Sequence, residues 1–428
     1  MRDLSFSSGG IKVNLLASYP EKVNTLPFPE KITLPLKQDF SPQLSSIVKK
    51  KSKVAAGDVI AKGPDGSLIS PVSGEIVNIV KNFKSHFGTK CDALEISVQD
   101  RGLSVDFPIQ PGILHNIIDA GIIDNQDDKV LFLAKKVEIA QKNKVDTLII
   151  NGLEEIIANG KNYFFLQKQI NVIKQGFEQV INLFKPNKIF LAIYSDYRHI
   201  EGFVDQLKSY LGALGIKIVF LKKKYPQHKT PLLVKTILNE ELEIDKPIEE
   251  SLHTTILDLE TIYHLGLLKN NKVPYREKIV TVIDGDISNS QLVKIPIGTP
   301  IHYILEKLNI DTKSISKVII NGTISGIPIY DINYPITKDI GSIFVLKKGQ
   351  INTYSDAVCI KCGLCVEVCP MGLMPLFIFG YSKTKQFDLT KKFYIEKCIE
   401  CGCCAYVCPV NIPLVQWIKY GKANLNIK

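Results

Sequence analysis

Cys359-Ile360-Lys361-Cys362-Gly363-Leu364-Cys365-Val366-Glu367-Val368-Cys369-Pro370 is followed, 39 residues on, by Cys398-Ile399-Glu400-Cys401-Gly402-Cys403-Cys404-Ala405-Tyr406-Val407-Cys408-Pro409. The two stretches are copies of one pattern, C-x2-C-x2-C-x3-C-P. Three thiols spaced by two residues can wrap one cluster corner by corner. The residues that follow start a helix, which carries the fourth cysteine toward a second site. Proline then ends the loop without needing a backbone donor. Two complete copies at this separation are not expected by chance.

The pattern is that of bacterial ferredoxins, in which the fourth cysteine ligates the other 4Fe–4S cluster. By that crossed pattern Cys359, Cys362, Cys365 and Cys408 hold one cluster. Cys398, Cys401, Cys404 and Cys369 hold the other. The alternative is a structural zinc site, since all-cysteine zinc sets exist. Zinc ribbons, however, do not need eight cysteines in two such runs. Cys403 reads as a small packed residue, and Cys91 as a buried hydrophobe. Nine of the ten cysteines fall between Cys359 and Cys408. That clustering points to metal ligation in a reducing compartment and away from a disulfide scaffold. The spacer Met371–Lys397 carries Lys383, Lys385, Lys391 and Lys392. It reads either as plain surface or as a docking face for an acidic electron carrier.

Working outward, the 428 residues allow several domains, and 45 % apolar with 22 % charged residues is the composition of a folded protein. The net charge of +10 includes short lysine knots at Lys49–Lys51, Lys222–Lys224 and Lys347–Lys348. A solvated face explains them, with attraction to an acidic partner or an anionic membrane as the functional reading. One tryptophan and no basic helix interleaved with aromatics argue against nucleic acid as a partner. No apolar run reaches the ~18–20 residues of a membrane span, and no signal peptide is expected at the N-terminus. The expected location is the cytoplasm, with partners holding the chain at the inner face of the cell membrane if it meets one. The seven histidines are scattered singly and read as structural or surface.

Residues 1–105 read as β. Val59-Ile60 follows the turn Gly57-Asp58, and Ser70-Pro71-Val72-Ser73-Gly74 precedes Glu75–Val80. This resembles the barrel-sandwich hybrid of biotinyl and lipoyl carriers, without the carrier lysine's motif. Residues 106–274 read as a Rossmann-like parallel α/β domain. Leu148–Gly152, Lys188–Ile193 and Ile216–Leu221 look like strands and Gln169–Phe184 like a helix. Such sheets bind ligands at the carboxyl ends of their strands. Residues 275–350 return to β, with a strand at Lys278–Gly285, then Ile295–Pro300, then a helix near Ile301–Leu308. Residues 351–428 form the helical two-cluster domain. The fold class is thus multidomain, α/β plus β.

In that order the parts resemble the RnfC subunit of the Rnf-type ion-translocating electron-transport complex. Gly9-Gly10-Ile11, Ser70–Gly74, Tyr225-Pro226-Gln227, Ile297–Pro300 and the double cysteine run carry the likeness. It implies a β-grasp module at 275–350 and a peripheral subunit beside membrane-complex partners. It also implies electron transfer between a flavin mononucleotide–NADH site and the rest of a complex, with ferredoxin at the other end.

The nucleotide site departs from the family. A glycine-rich run G-x-G-G-A-G-F-P-T is replaced, after Ala120-Gly121, by Ile122-Ile123-Asp124-Asn125-Gln126-Asp127-Asp128. Uncompensated carboxylates there would repel a phosphate, where glycines would let backbone amides approach it. The acidic motif Asn-x-x-Glu-Cys-Glu-Pro keeps only Asn151 and Glu154 in Asn151–Ile157. The Gly-Gly-Pro-Met-Met-Gly run is reduced to Asn321-Gly322-Thr323-Ile324-Ser325-Gly326. Together these losses argue that FMN and NADH no longer bind, against the alternative of loop drift with binding kept by other residues.

The expected function is therefore an iron–sulfur subunit relaying single electrons between ferredoxin or a similar carrier and a membrane or flavoprotein partner. Three alternatives remain: the full NADH/FMN enzyme, a relative serving a cobalamin- or proline-reductase-type system, and an assembly protein with structural clusters. No catalytic residue is assigned.

Overall fold

The computed structural model describes residues 3–12, 19–37, 43–86, 88–100, 107–127, 129–154, 160–243, 246–351 and 358–427. Asp128, Glu155–Ile157 and the expected boundary at 105/106 lie outside them.

The first unit is a small sandwich. Strands Lys31–Pro35, Lys90–Asp100, Ser73–Lys84 and Lys53–Val54 form one antiparallel sheet; Ser45–Ser46, Val59–Lys62 and Ser67–Ile69 form the other. Ile32, Leu34, Ile76, Leu94 and Ile96 are wholly buried, as period-two alternation requires when one face meets a core. The long hairpin Ser73–Asp100 runs on as an arm. Near its tip His86 pairs with Asp339 at 2.9 Å and contacts the Tyr334 hydroxyl at 3.0 Å.

The middle of the chain is a four-stranded parallel sheet in the order Ile216–Leu221, Lys188–Tyr194, Thr147–Asn151, Thr254–Asp258. Thr147–Asn151 and Thr254–Asp258 are buried at every position, as the central and covered strands of a parallel sheet are, although only the first carries an apolar run, Leu148-Ile149-Ile150. Helices Ile170–Phe184 and Leu259–Asn271 pack so closely that backbones touch. A Cβ at Gly176 would sit 1.9 Å from the Ile262 carbonyl oxygen, and one at Gly266 1.9 Å from that of Val172.

A six-stranded sheet follows, in the order Val23–Thr25, Ser290–Pro296, Glu277–Asp284, Ser342–Lys347, Ile315–Ile320, Ile327–Ile329. Helix Ile301–Lys307 packs on it through Ile301, Ile304 and Leu305. The run Ile295–Pro300 divides into the end of a strand and a turn. Its strand ends at Pro296, and Thr299 closes a turn by donating its hydroxyl to the Pro296 carbonyl at 2.8 Å.

The N-terminal stretch pairs outside the sandwich. Leu4 bridges Leu221, Ile11 bridges Tyr225, and Val23–Thr25 runs parallel to Leu292–Lys294. The C-terminal unit is helical: Leu364–Glu367, Pro375–Lys383, Cys403–Tyr406 and Leu414–Asn424 surround a core of Leu373, Ile378, Ile395, Ile412, Leu414 and Ile418. Among the described residues no helix is long and apolar enough to cross a membrane.

Candidate iron–sulfur site

The two cysteine runs fold alike. Lys361 and Gly363 in the first, and Glu400 and Gly402 in the second, take left-handed backbone angles. These turns bend each loop so that its first three thiols face inward, and a one-turn helix then carries the chain toward the fourth cysteine. In each run the first and fourth thiols accept a backbone N–H. Lys361 and Leu373 donate to Cys359 and Cys369, and Glu400 and Ile412 to Cys398 and Cys408, each at 3.4 Å.

Two cavities result. Cys359, Cys362, Cys365 and Cys408 line one, with about 390 Å³ of empty volume partly open to solvent. Cys369, Cys398, Cys401 and Cys404 line the other, with about 380 Å³, and Cys403 borders it. Each cavity thus draws three cysteines from one run and the fourth from the other. Among the described residues no three His, Cys, Asp or Glu side chains are grouped as ligands of a single metal ion.

The cavities differ in setting. Cys362 is exposed, whereas Cys401 and Cys404 are buried. Burial pushes the Cys398 thiol up to about 12 and raises the Cys404 thiol as well. A thiolate there needs a cation beside it, and iron binding at this site would release protons. Cys403 is wholly buried and joins the main core. Cys91 is also buried, in the first sandwich.

Other parts of the chain pack against the cavity of Cys369, Cys398, Cys401 and Cys404, the inner of the two by the burial of Cys401 and Cys404. The buried Tyr225 phenol donates to the Cys401 carbonyl at 2.7 Å. Lys422 donates to the Cys398 carbonyl at 2.6 Å and pairs with Glu400 at 2.9 Å. The N-terminal stretch runs past the same place, with Gly10 N–H donating to the Val368 carbonyl at 2.7 Å. Gly9 has φ +63°, and a Cβ there would meet the Cys369 backbone at 2.5 Å. Gly9→Ala should therefore cost about 1 kcal/mol for the backbone angle and about 1–3 kcal/mol more for the overlap. Gly215→Ala is the control, since Gly215 has φ +72° and nothing within 4 Å. Thermal unfolding of the two variants separates the contributions, and equal midpoints would refute the clamp.

The stretch after Ala120-Gly121 is a β-hairpin, Ile123–Gln126 paired with Lys129–Phe132. The expectation of uncompensated carboxylates is corrected here. Asp124 is buried, pairs with Lys136 at 2.5 Å, and accepts from Asp258 N–H and the Thr261 hydroxyl at 2.8 Å each. Asp127 accepts the Thr230 N–H at 3.0 Å and lies 4.0 Å from Lys229. These aspartates tie the hairpin over the carboxyl end of the parallel sheet.

The other two altered runs are also engaged. Asn151 donates to the His228 carbonyl at 3.1 Å. Glu154 accepts the N–H groups of Asn162 and Tyr163 at the start of helix Lys161–Lys168, and burial pushes its carboxyl up to about 7. Asn321 accepts the Gly341 N–H at 2.8 Å, and Ile324 packs against Gly402 of the second cysteine loop.

Beside them lies a buried charge network that sequence reasoning missed. Glu260 pairs with Lys161 at 2.7 Å and Lys278 at 3.2 Å. Lys278 donates to the Tyr275 hydroxyl at 3.2 Å and to the Lys338 carbonyl, and Lys338 donates to the Gly121 carbonyl at 2.6 Å. Burial, then the neighbouring Lys278, brings Lys338 down to about 7.

Residues 358–412 match the 4Fe-4S dicluster domain family, and residues 6–101 the RnfC Barrel sandwich hybrid domain family. The RnfC subunit of the ion-translocating oxidoreductase complex of Buchnera aphidicola is 29% identical over 92% of this chain and 84% of its own length. The corresponding subunits from Rhodobacter capsulatus and Methanosarcina acetivorans are each 27% identical, over 95% and 93% of this chain and 80% and 92% of their own. A chain of the air-oxidized NAD+-reducing [NiFe]-hydrogenase superposes with a TM-score of 0.50 at 13% identity, over 73% of this chain and 61% of that one. This chain spans about three-fifths of that hydrogenase chain's length, and the likeness is one of fold.

Proposed function

We propose that this chain, which resembles the RnfC subunit of ion-translocating oxidoreductase complexes along more than nine-tenths of its length, is an iron–sulfur electron-transfer subunit. The observation that carries the reading is the pair of cavities, each bringing three spaced cysteines of one run together with the last cysteine of the other, with Cys403 bordering the second as a fifth. Cys359, Cys362, Cys365 and Cys408 would hold one 4Fe–4S cluster, and Cys398, Cys401, Cys404 and Cys369 the other. The donor set fits, since thiolates are the usual ligands of such clusters. Bound there, the clusters supply one-electron transfer. The protein's part is to set their potentials through N–H···S hydrogen bonds and burial. The four N–H donors on Cys359, Cys369, Cys398 and Cys408 serve this, and so does the exclusion of water around Cys401 and Cys404. Exposed Cys362 marks the cluster that exchanges electrons with a partner.

The four-part division is part of the same reading: a barrel-sandwich hybrid to about 105, a Rossmann-like domain to about 274, a β-grasp module to about 350, and the two-cluster domain beyond. So is a peripheral place on the cytoplasmic side of a membrane complex, with a ferredoxin or similar carrier as redox partner. FMN and NADH are not bound in this reading. The hairpin Ile123–Phe132 and the Glu260 network take the carboxyl end of the parallel sheet, where such sheets place their ligands.

Anaerobic cofactor analysis tests both parts. About eight irons per chain with no flavin, and none recovered on adding flavin mononucleotide, is the expected result. Fewer than about four irons would overturn the relay. One tightly held flavin would overturn the closed nucleotide site, and NADH oxidation would then be measured.

A further inference from the structure

The segment between the two cysteine runs presents an outward face that is both aromatic and cationic. Phe377 stacks on Phe393 with ring centroids 5.0 Å apart, and Tyr381 stacks on Phe393 at 5.7 Å. The group is not sealed. Phe377 is 45% exposed, Tyr394 57%, and Met374, whose carbonyl accepts the Phe377 N–H, 46%. Lysines frame it. Lys391 and Lys392 lead directly into Phe393, and Lys397 lies over the Tyr394 ring at 5.2 Å. Lys383 ends the helix that carries Phe377 but lies over the Phe379 ring at 5.8 Å, on the side of the helix that packs toward Trp417. Among the described residues only Lys391 of these pairs with a carboxylate, Asp388 at 3.0 Å.

The type of cation decides the occupant. Between residues 358 and 427 lysines outnumber acids two to one, and there is no arginine. The cores of protein–protein interfaces favour Tyr, Phe, Met and Arg, and are depleted of Lys. A bilayer with anionic headgroups takes the combination present here. Half-exposed aromatic rings settle at headgroup level, while lysines extend their stems over them and keep the ammonium groups on phosphate. Helix Pro375–Lys383 has 9 residues, too few to span.

We propose that this face lies on the anionic surface of a lipid bilayer, with Met374, Phe377 and Tyr394 in the headgroup layer and Lys392 and Lys397 on lipid phosphates. The contact deepens the peripheral-subunit reading by assigning the chain its own foothold. It is tested without any electron donor, so its failure and that of the relay are distinguishable.

The experiment is cosedimentation of the full chain, reconstituted anaerobically with iron and sulfide, with two kinds of vesicle. One is phosphatidylglycerol mixed with phosphatidylcholine, the other phosphatidylcholine alone. Retention on the anionic vesicles should exceed that on neutral ones by about tenfold at low salt and fall as salt rises. The charge-reversal pair Lys392→Glu with Lys397→Glu should lower it about tenfold. Tyr394→Asn, chosen because asparagine tolerates the residue's φ of +55°, should lower it about threefold. Iron content and circular dichroism are expected to stay at parental values in all variants. Equal retention on both vesicle types, or parental retention in both variants, overturns the proposal. So does salt-sensitive binding of an acidic ferredoxin to this face with no vesicle binding, which would make the occupant a protein.

Discussion

Cys408→Ser should leave the same residual cluster as Cys362→Ser, although the two positions lie in different runs. The reason is the crossed arrangement of the cavities. Cys408 stands with Cys359, Cys362 and Cys365, while Cys369 stands with Cys398, Cys401 and Cys404. Losing either Cys362 or Cys408 removes a ligand from the outer set and should lower iron from about eight to about four per chain. The low-temperature electron paramagnetic resonance spectra of the two reduced variants should then superpose. Cys369→Ser and Cys401→Ser should form a second matching pair with a different spectrum. If ligation instead followed the runs in order, Cys408→Ser would match Cys401→Ser, and the crossed assignment would fail. Eight irons retained in any of the four would refute that residue as a ligand. The surviving cluster should also be weakened, because each run feeds both sets through its one-turn helix. Faster loss of the remaining iron to a chelator reads that coupling.

Why the cysteines were legible in advance is a matter of range. Their spacing sets local loop geometry, so two dozen residues of sequence contain nearly all the information needed. The strands Lys188–Tyr194 and Ile216–Leu221 were legible for a similar reason, being apolar runs in a sheet covered on both faces. Strand Thr254–Asp258 was not, since two threonines after His253 dilute the apolar signal and its burial is decided by the neighbouring Thr147–Asn151. Asp124 was misread because its meaning depends on distant groups. Read alone it repels a phosphate; in the fold it meets Lys136 and the Asp258 N–H, the latter 134 positions away. Lys161, Lys278 and Lys338 were passed over because lysine is ordinarily a surface residue. The glycines of the Gly9-Gly10 pair were noticed, but nothing local says that one of them faces the Cys369 backbone.

Glu260→Gln should produce the largest loss of stability of any single change outside the cysteines. Glu260 is the anion between two buried cations, with Lys161 at 2.7 Å and Lys278 at 3.2 Å, and its own side chain is 7% exposed. Burial by itself would raise its carboxyl, but Lys161 and then Lys278 more than offset this and hold it well below the usual range. The amide keeps the shape and removes the charge, leaving two ammonium groups in the core with no carboxylate between them. Breaking a buried pair in this way costs about 3–5 kcal/mol. Adding Lys161→Met should recover part of that, because one unpaired cation leaves with its desolvation cost. The thermal unfolding midpoint is the measurement, and a Glu260→Gln midpoint within a degree of the parent would refute the role. The position gives the result a functional side. Glu260 follows Asp258, the last residue of its strand, in the crevice where a parallel sheet receives a ligand. A phosphate arriving there would have to displace Glu260 from Lys161 and Lys278, and the hairpin Ile123–Phe132 from above them. On the proposed reading the chain supplies its own anion to this crevice, so Glu260→Gln should lower stability while leaving both four-thiol sets, and the iron they hold, in place.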